Sequence, residues 1–151
     1  MRSRTAMWFE CKVKYEKVQE DGTQKKVTEQ YVVDALSFAE AEARITEEMS
    51  SYISGAFTVE DVKKAPYGEI FFSDNTDDER WFKAKLDFIT IDEKTEKEKR
   101  SRVTYLVQAA SLKYAFKGIE EVMGGTMIDY EAAAIDGTKL MDVFEHTEPG
   151  K

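Results

Sequence analysis

Trp8-Phe9-Glu10-Cys11-Lys12-Val13-Lys14-Tyr15 returns 73 residues later as Trp81-Phe82-Lys83-Ala84-Lys85-Leu86-Asp87-Phe88. Both stretches alternate along the chain with the period of a strand that buries one face. After a connector one residue longer, Tyr31, Val33, Ala35, Ser37, Ala41, Ile45, Glu47 and Met49 recur as Tyr105, Val107, Ala109, Ser111, Ala115, Ile119, Glu121 and Met123, 74 residues on. Chance coincidences do not hold one register through a strand, a cap and a helix. The chain therefore reads as two copies of one supersecondary unit that bury their apolar faces together.

Working outward, Asp21-Gly22 supplies hairpin turn chemistry, and Val27, Tyr31, Val33 and Ala35 mark the return strand. Ser37-Phe38-Ala39-Glu40 reads as a capping box, followed by a helical stripe of Phe38, Ala41, Ile45, Met49 and Tyr52 that Gly55 is expected to end. Residues 57–65 and 69–72 read as two further strands around Pro66-Tyr67-Gly68. The second copy repeats the order. Residues 81–91 form a strand, 92–99 a charged hairpin tip and 102–109 the return. Ser111 caps a helix with Leu112, Ala115, Ile119 and Met123 facing inward, Gly124-Gly125 stops it, and strands at 127–135 and 139–144 close the copy.

The expected fold is α+β, a tandem duplication of a β-β-α-β-β unit whose antiparallel sheets are each covered on one face by a helix. Residues 1–151 are expected to make a single domain from pseudo-repeats 8–72 and 81–144, joined by the acidic linker 73–80, because each half is small for an independent core.

Composition narrows the function. No run approaches the roughly 18 apolar residues of a membrane span, and the start of the chain has no apolar signal core, so a cytoplasmic protein without a membrane partner is expected. A single cysteine, Cys11, and a single histidine, His146, exclude an internal disulfide and a Cys/His metal cage. Cys11 falls on an inward face as a small core residue, and His146 sits in a polar tail without a spaced partner. No catalytic cluster and no cofactor motif is present, so no enzyme is expected. Net charge is −8, but residues 8–36 carry five Lys/Arg against six Asp/Glu and residues 81–110 seven against five. The acid lies mostly outside the hairpins.

Alternation assigns a second sheet face in each copy, away from the helix. In copy one it takes Trp8, Lys12, Lys14, Lys26, Thr28 and Gln30; in copy two Trp81, Lys83, Lys85, Arg100, Arg102 and Thr104. An aromatic platform amid cations is how single-stranded nucleic acid is commonly held, with bases stacked on rings and cations along the phosphates. The same pattern also describes a solvated face whose tryptophans plug a joint. Single-stranded nucleic acid is thus the first expected partner, through Trp8, Lys12, Lys14, Lys26, Trp81, Lys83, Lys85, Arg100 and Arg102. A protein-interaction or scaffold module is the alternative, supported by the acidic surface and by Tyr67, Phe71 and Phe72 as exposed aromatics.

The segments Trp8-Phe9-Glu10-Cys11-Lys12-Val13, Val33-Asp34-Ala35-Leu36-Ser37-Phe38 and Arg80-Trp81-Phe82-Lys83, with Leu106-Val107-Gln108-Ala109 and Met141-Asp142-Val143-Phe144, resemble an uncharacterised domain family of gut bacteria and their phages. The resemblance spans residues 8–144 and implies no catalytic residues. Small two-repeat phage proteins often sit among replication genes, which suits single-strand binding. The element order is also similar, up to its starting point, to the duplicated four-strands-plus-helix unit of whirly and Pur-type single-strand-binding proteins. That likeness is one of topology alone.

Overall fold

A computed structural model describes residues 1–146; residues 147–151, which the expected domain included, lie outside the described residues. The elements run β1 (Arg2–Thr5), β2 (Trp8–Val18), β3 (Gln24–Asp34), α1 (Phe38–Tyr52), β4 (Phe57–Lys64), β5 (Glu69–Phe72), β6 (Arg80–Ile91), β7 (Glu98–Ala109), α2 (Leu112–Gly124), β8 (Asp129–Gly137) and β9 (Leu140–Phe144). The fold is α+β, with two sheets rich in antiparallel pairs and one helix packed on each.

The chain forms two compact units, neither of them one continuous segment. One comprises Met1–Thr5 and Pro66–Thr138; the other comprises Ala6–Ala65 and the chain from Lys139 on. The sequence placed the seam at 73–80 instead. That stretch is a hydrogen-bonded turn within the first unit: Ser73 N–H donates to Gln108 Oε1 at 3.0 Å, the Ser73 hydroxyl to Asp78, and Asp77 N–H to Asn75 Oδ1 at 2.9 Å.

In the unit holding β2, the sheet order is β4-β2-β3-β9. β2 and β3 pair from Trp8↔Asp34 to Val18↔Gln24, closed by Gly22 at φ +85°, a conformation glycine adopts without a Cβ clash. Ser37 accepts from Glu40 N–H at 3.1 Å while Glu40 Oε1 accepts from Leu36 N–H at 3.0 Å, so the expected cap forms. The helix ends one turn before Gly55, with Ile53 as its C-cap. Phe9, Cys11, Val13 and Val33 pack under Ala41, Ile45 and Met49, all fully buried. The edge strand β9 lies parallel to β3, with Phe144 beside Val33.

In the other unit the order is β1-β5-β7-β6-β8. Ala84, Leu86 and Val107 pack under Ile119 and Met123 of α2, with Phe71 of β5 beside them. Here β5 lies parallel to β7, with Phe71 beside Val107. The short polar strand β1, which the sequence reading missed, pairs with β5 from Arg2↔Phe72 to Thr5↔Glu69.

The two sheets fit a duplicated unit in detail. β4 meets β2 as Lys12↔Asp61 then Val13↔Val59, leaving Glu60 as a bulge. β8 meets β6 as Lys85↔Ala134 then Leu86↔Ala132, leaving Ala133 as the same bulge 73 positions on. Ala65 N–H donates to the Trp8 carbonyl at 2.9 Å, and Thr138 N–H to the Trp81 carbonyl at 3.1 Å. The expected unit needs one correction. Its last strand does not close its own sheet: β5, which follows β4, joins β7, whereas β9, which follows β8, joins β3. Both joins are parallel, so the sheets are mixed.

Candidate functional site

The strand registers place the expected residues on the faces the alternation assigned. Trp8, Lys12 and Lys14 sit opposite Asp34, Gln30 and Thr28 across β2 and β3. Trp81 sits opposite Gln108, Lys85 opposite Thr104, and Arg102 opposite Asp87 across β6 and β7.

What the alternation left open is whether those faces are accessible, and at the tryptophan end they are not. Trp8 is 2% exposed and Trp81 3% exposed. Their neighbours on the same faces, Val32 and Leu140 in one sheet and Ile70 and Leu106 in the other, are buried too, so that end of each face is closed. The Trp81 and Phe72 rings meet edge to face at 5.6 Å between centroids, and the Arg2 guanidinium lies 4.3 Å from the centre of the Phe72 ring. Neither indole offers a free face to a base, which corrects the expected stacking platform. Tyr67, Phe71 and Phe72, expected as exposed aromatics, are buried as well.

The cations further along these faces are exposed or half-buried, but several are already engaged by carboxylates. Arg102 Nε donates to Asp87 Oδ1 at 2.5 Å. Arg100 Nη1 lies 2.9 Å from Glu131 and 3.8 Å from Asp87, with Nε 3.4 Å from Glu98. The hydrogen bond from Arg102, then burial opposing it and the charges of Arg102 and Arg100, leaves the Asp87 carboxyl below its ordinary range. Lys14 Nζ is 3.6 Å from Glu60, and Lys83 Nζ is 5.7 Å from the Tyr67 ring centre. Lys12 faces Asp61 across the β2–β4 pair, and Lys26 faces Glu16 across β2–β3. The ion pairs of Lys14, Arg100 and Arg102 are worth little at an exposed surface, yet in each a carboxylate competes with a phosphate for the cation. The structure gathers the nine expected residues onto two faces, where Lys14 and Lys26 line a cleft of about 620 Å³ whose charge Glu16 and Glu60 offset.

Cys11 is fully buried, and desolvation first, then Asp61 and Glu10, pushes its thiol up to about 12. That thiol is inert, as its inward position suggested. His146 does have partners. The buried Asp34 carboxylate accepts from His146 N–H at 3.0 Å and lies 3.0 Å from its Nδ1, while Nε2 lies 3.4 Å from Glu48. Arg44 completes the cluster, 3.7 Å from Asp34 and 3.3 Å from Glu40. His146 thus ties the chain just after β9 to the end of β3 through Asp34 and to α1 through Glu48, while Arg44 joins α1 to Asp34. Among the described residues no group of three His, Cys, Asp or Glu is placed to hold a metal.

One surface was missed. Leu112, expected to face inward, is 52% exposed, and Phe116 is 46% exposed. With Ala132, Ala134 and Ile135 of β8 they line a groove of about 690 Å³ between α2 and the edge of its sheet, rimmed by Lys113, Lys117 and Glu120. The equivalent positions around α1 and β4 carry Glu42 for Phe116 and Asp61 for Ala134. The sequence signal was available: Phe116 lies between the buried positions Ala115 and Ile119 without sharing their stripe.

The profile of a domain of unknown function, DUF4494, matches residues 7–146. No curated protein matches the chain, and no solved structure does.

Proposed function

We propose that this chain, which belongs to the DUF4494 family, is a non-enzymatic polypeptide-binding module whose docking surface is the groove between α2 and β8. The observation that carries the reading is the pair Leu112 and Phe116, left half-exposed beside an apolar strand edge. Large side chains held open to water next to an apolar groove mark interaction surfaces more often than chance exposure. The ionisable groups lining the groove are Lys113, Lys117 and Glu120, with no His, Cys or Ser among the lining, which favours binding over catalysis.

Single-stranded nucleic acid, the other ligand class suggested by the sequence, fits less well. It would rest on lysines such as Lys26 and Lys85 without either tryptophan to stack on, against a net charge of −8. No helix of the described residues is long and apolar enough to cross a membrane.

A photoreactive phenylalanine analogue placed at Phe116, and separately at Lys85, tests the reading in the cell that makes the protein. Irradiation is expected to give a discrete protein adduct from position 116 that survives nuclease, and none from position 85. A nuclease-sensitive adduct from position 85, with none from 116, refutes it.

A further inference from the structure

The polypeptide-binding reading leaves the occupant's chemistry open, and the edge of β8 narrows it. Among the described residues β8 is the last strand of its sheet, so the peptide groups on its outer side have no strand partner there. Proteins usually guard such edges with charged residues and bulges, because an open edge pairs with any extended chain. The register-equivalent edge strand β4 carries both devices. Its bulge is Glu60, and the run Val59-Glu60-Asp61-Val62 sets two carboxylates at the centre of the edge. β8 keeps the bulge but has Ala132-Ala133-Ala134-Ile135 in that place. The charges are gone from the one edge that borders the apolar groove.

The flanks of this bare centre are acidic. Asp129 and Glu131 precede it and Asp136 follows it, all three exposed. By their pairing with Ile89, Asp87 and Lys83 they lie on the sheet face away from α2, whereas Ala132 and Ile135, paired with Leu86 and Ala84, lie on the groove face. An incoming strand would alternate between the same two faces. On the groove side it meets Phe116, Leu112 and alanines, with Lys113, Lys117 and Glu120 at the rim; on the far side it meets carboxylates, of which Glu131 is shared with Arg100 and Asp136 faces Lys83.

We infer, resting on the polypeptide-binding reading, that the occupant is an extended segment of a partner protein with alternating apolar and basic side chains, added as a further strand on β8. Its apolar side chains enter the groove and its cations meet Asp129, Glu131 and Asp136. Main-chain pairing supplies affinity and the alternate pockets supply specificity, as in other strand-addition complexes. The bulge at Ala133 shortens the regular pairing on offer, so groove contacts have to contribute. A second copy of this chain is the wrong occupant. Antiparallel pairing about Ala133 would bring Asp129 and Glu131 of one copy beside Asp136 of the other, between two molecules each of charge −8.

The test titrates the isotope-labelled full chain with a short peptide of alternating lysine and valine, following backbone amides. Three controls run beside it: the same peptide N-methylated at alternate residues, a glutamate–valine version, and the Phe116→Ser protein. The inference expects shifts confined to β8 and α2, weakened about tenfold or more by N-methylation, the scale of one lost net hydrogen bond. It expects no binding by the anionic peptide and weakened binding by Phe116→Ser. Equal binding of parent and N-methylated peptides, still weakened by Phe116→Ser, overturns strand addition and leaves the groove as a polypeptide site. Tighter binding of the glutamate–valine peptide overturns the charge assignment. Absence of shifts with every peptide overturns the inference, and the cross-link from position 116 then decides separately whether the groove binds a polypeptide at all.

Discussion

Replacing Asp34 by alanine removes the group that fastens β9 to its sheet, and the structure sets the scale of the loss. The carboxylate is 4% exposed and engages His146 twice, through its backbone N–H and ring Nδ1, each at 3.0 Å. Hydrogen bonds to a charged group contribute about 1.5–3 kcal/mol each, and an orphaned partner adds its own desolvation cost. Arg44 is not stranded by the change, since it still donates to the Asp34 backbone carbonyl at 2.6 Å and lies 3.3 Å from Glu40. The expected destabilisation is therefore about 2–4 kcal/mol, above an exposed pair and below the roughly 3–5 kcal/mol of a fully buried pair broken on one side. At about 2–4 °C per kcal/mol for a chain of this size, the unit's melting transition should fall by about 5–15 °C. Circular dichroism melts at neutral pH measure it. Hydrogen exchange should show protection lost first at Leu140–Phe144, the strand whose end His146 anchors. A melt within about 2 °C of the parent, or strict additivity of Asp34→Ala and His146→Ala, would refute the reasoning.

Further expectations follow from burial and charge. Ile119→Ala, at a fully buried position under α2, should cost about 2–5 kcal/mol, whereas Phe116→Ser, 46% exposed, should leave the melt nearly unchanged; paired thermal scans decide. Cys11, pushed up to about 12, should stay unreactive to a thiol reagent at mildly alkaline pH in the native protein and react fully in denaturant; labelling of the folded chain contradicts this. Asp87 sits below its ordinary carboxyl value in the fold, so its contribution is present above the unfolded value and is lost as pH falls through the folded one. Asp87→Asn should flatten the fall in melting temperature below about pH 4, and an unchanged acid limb would count against the Arg102 pairing.

Which residues share a face was legible in the sequence, because alternation depends only on strand geometry. Phe9, Cys11, Val13 and Val33 lie under one helix, and Ala84, Leu86 and Val107 under the other, as the period implied. Which sheet each closing strand joins was not legible. Phe71 and Phe144 take equivalent places, beside Val107 and Val33, and both sheets offer the same apolar slot to a parallel strand. Accessibility was equally hidden: Trp8 and Trp81 are buried together with Val32, Leu106 and Leu140, and periodicity assigns them all to a face without saying that the face is closed. Asp87 could have been anticipated, being the next position on the face after Lys85. The Asp34–His146 contact spans 112 residues and leaves no local trace.

The repeated tryptophans are buried at the closed ends of their sheet faces, and the proposed docking site lies at α2 and β8 instead. The two indole N–H signals of the isotope-labelled protein report Trp8 and Trp81 separately, so a titration with oligothymidylate at low salt tests the claim directly. Both signals should remain in place throughout. Saturable movement of either indole, reversed by added salt, would contradict the account and return the site to the sheet faces.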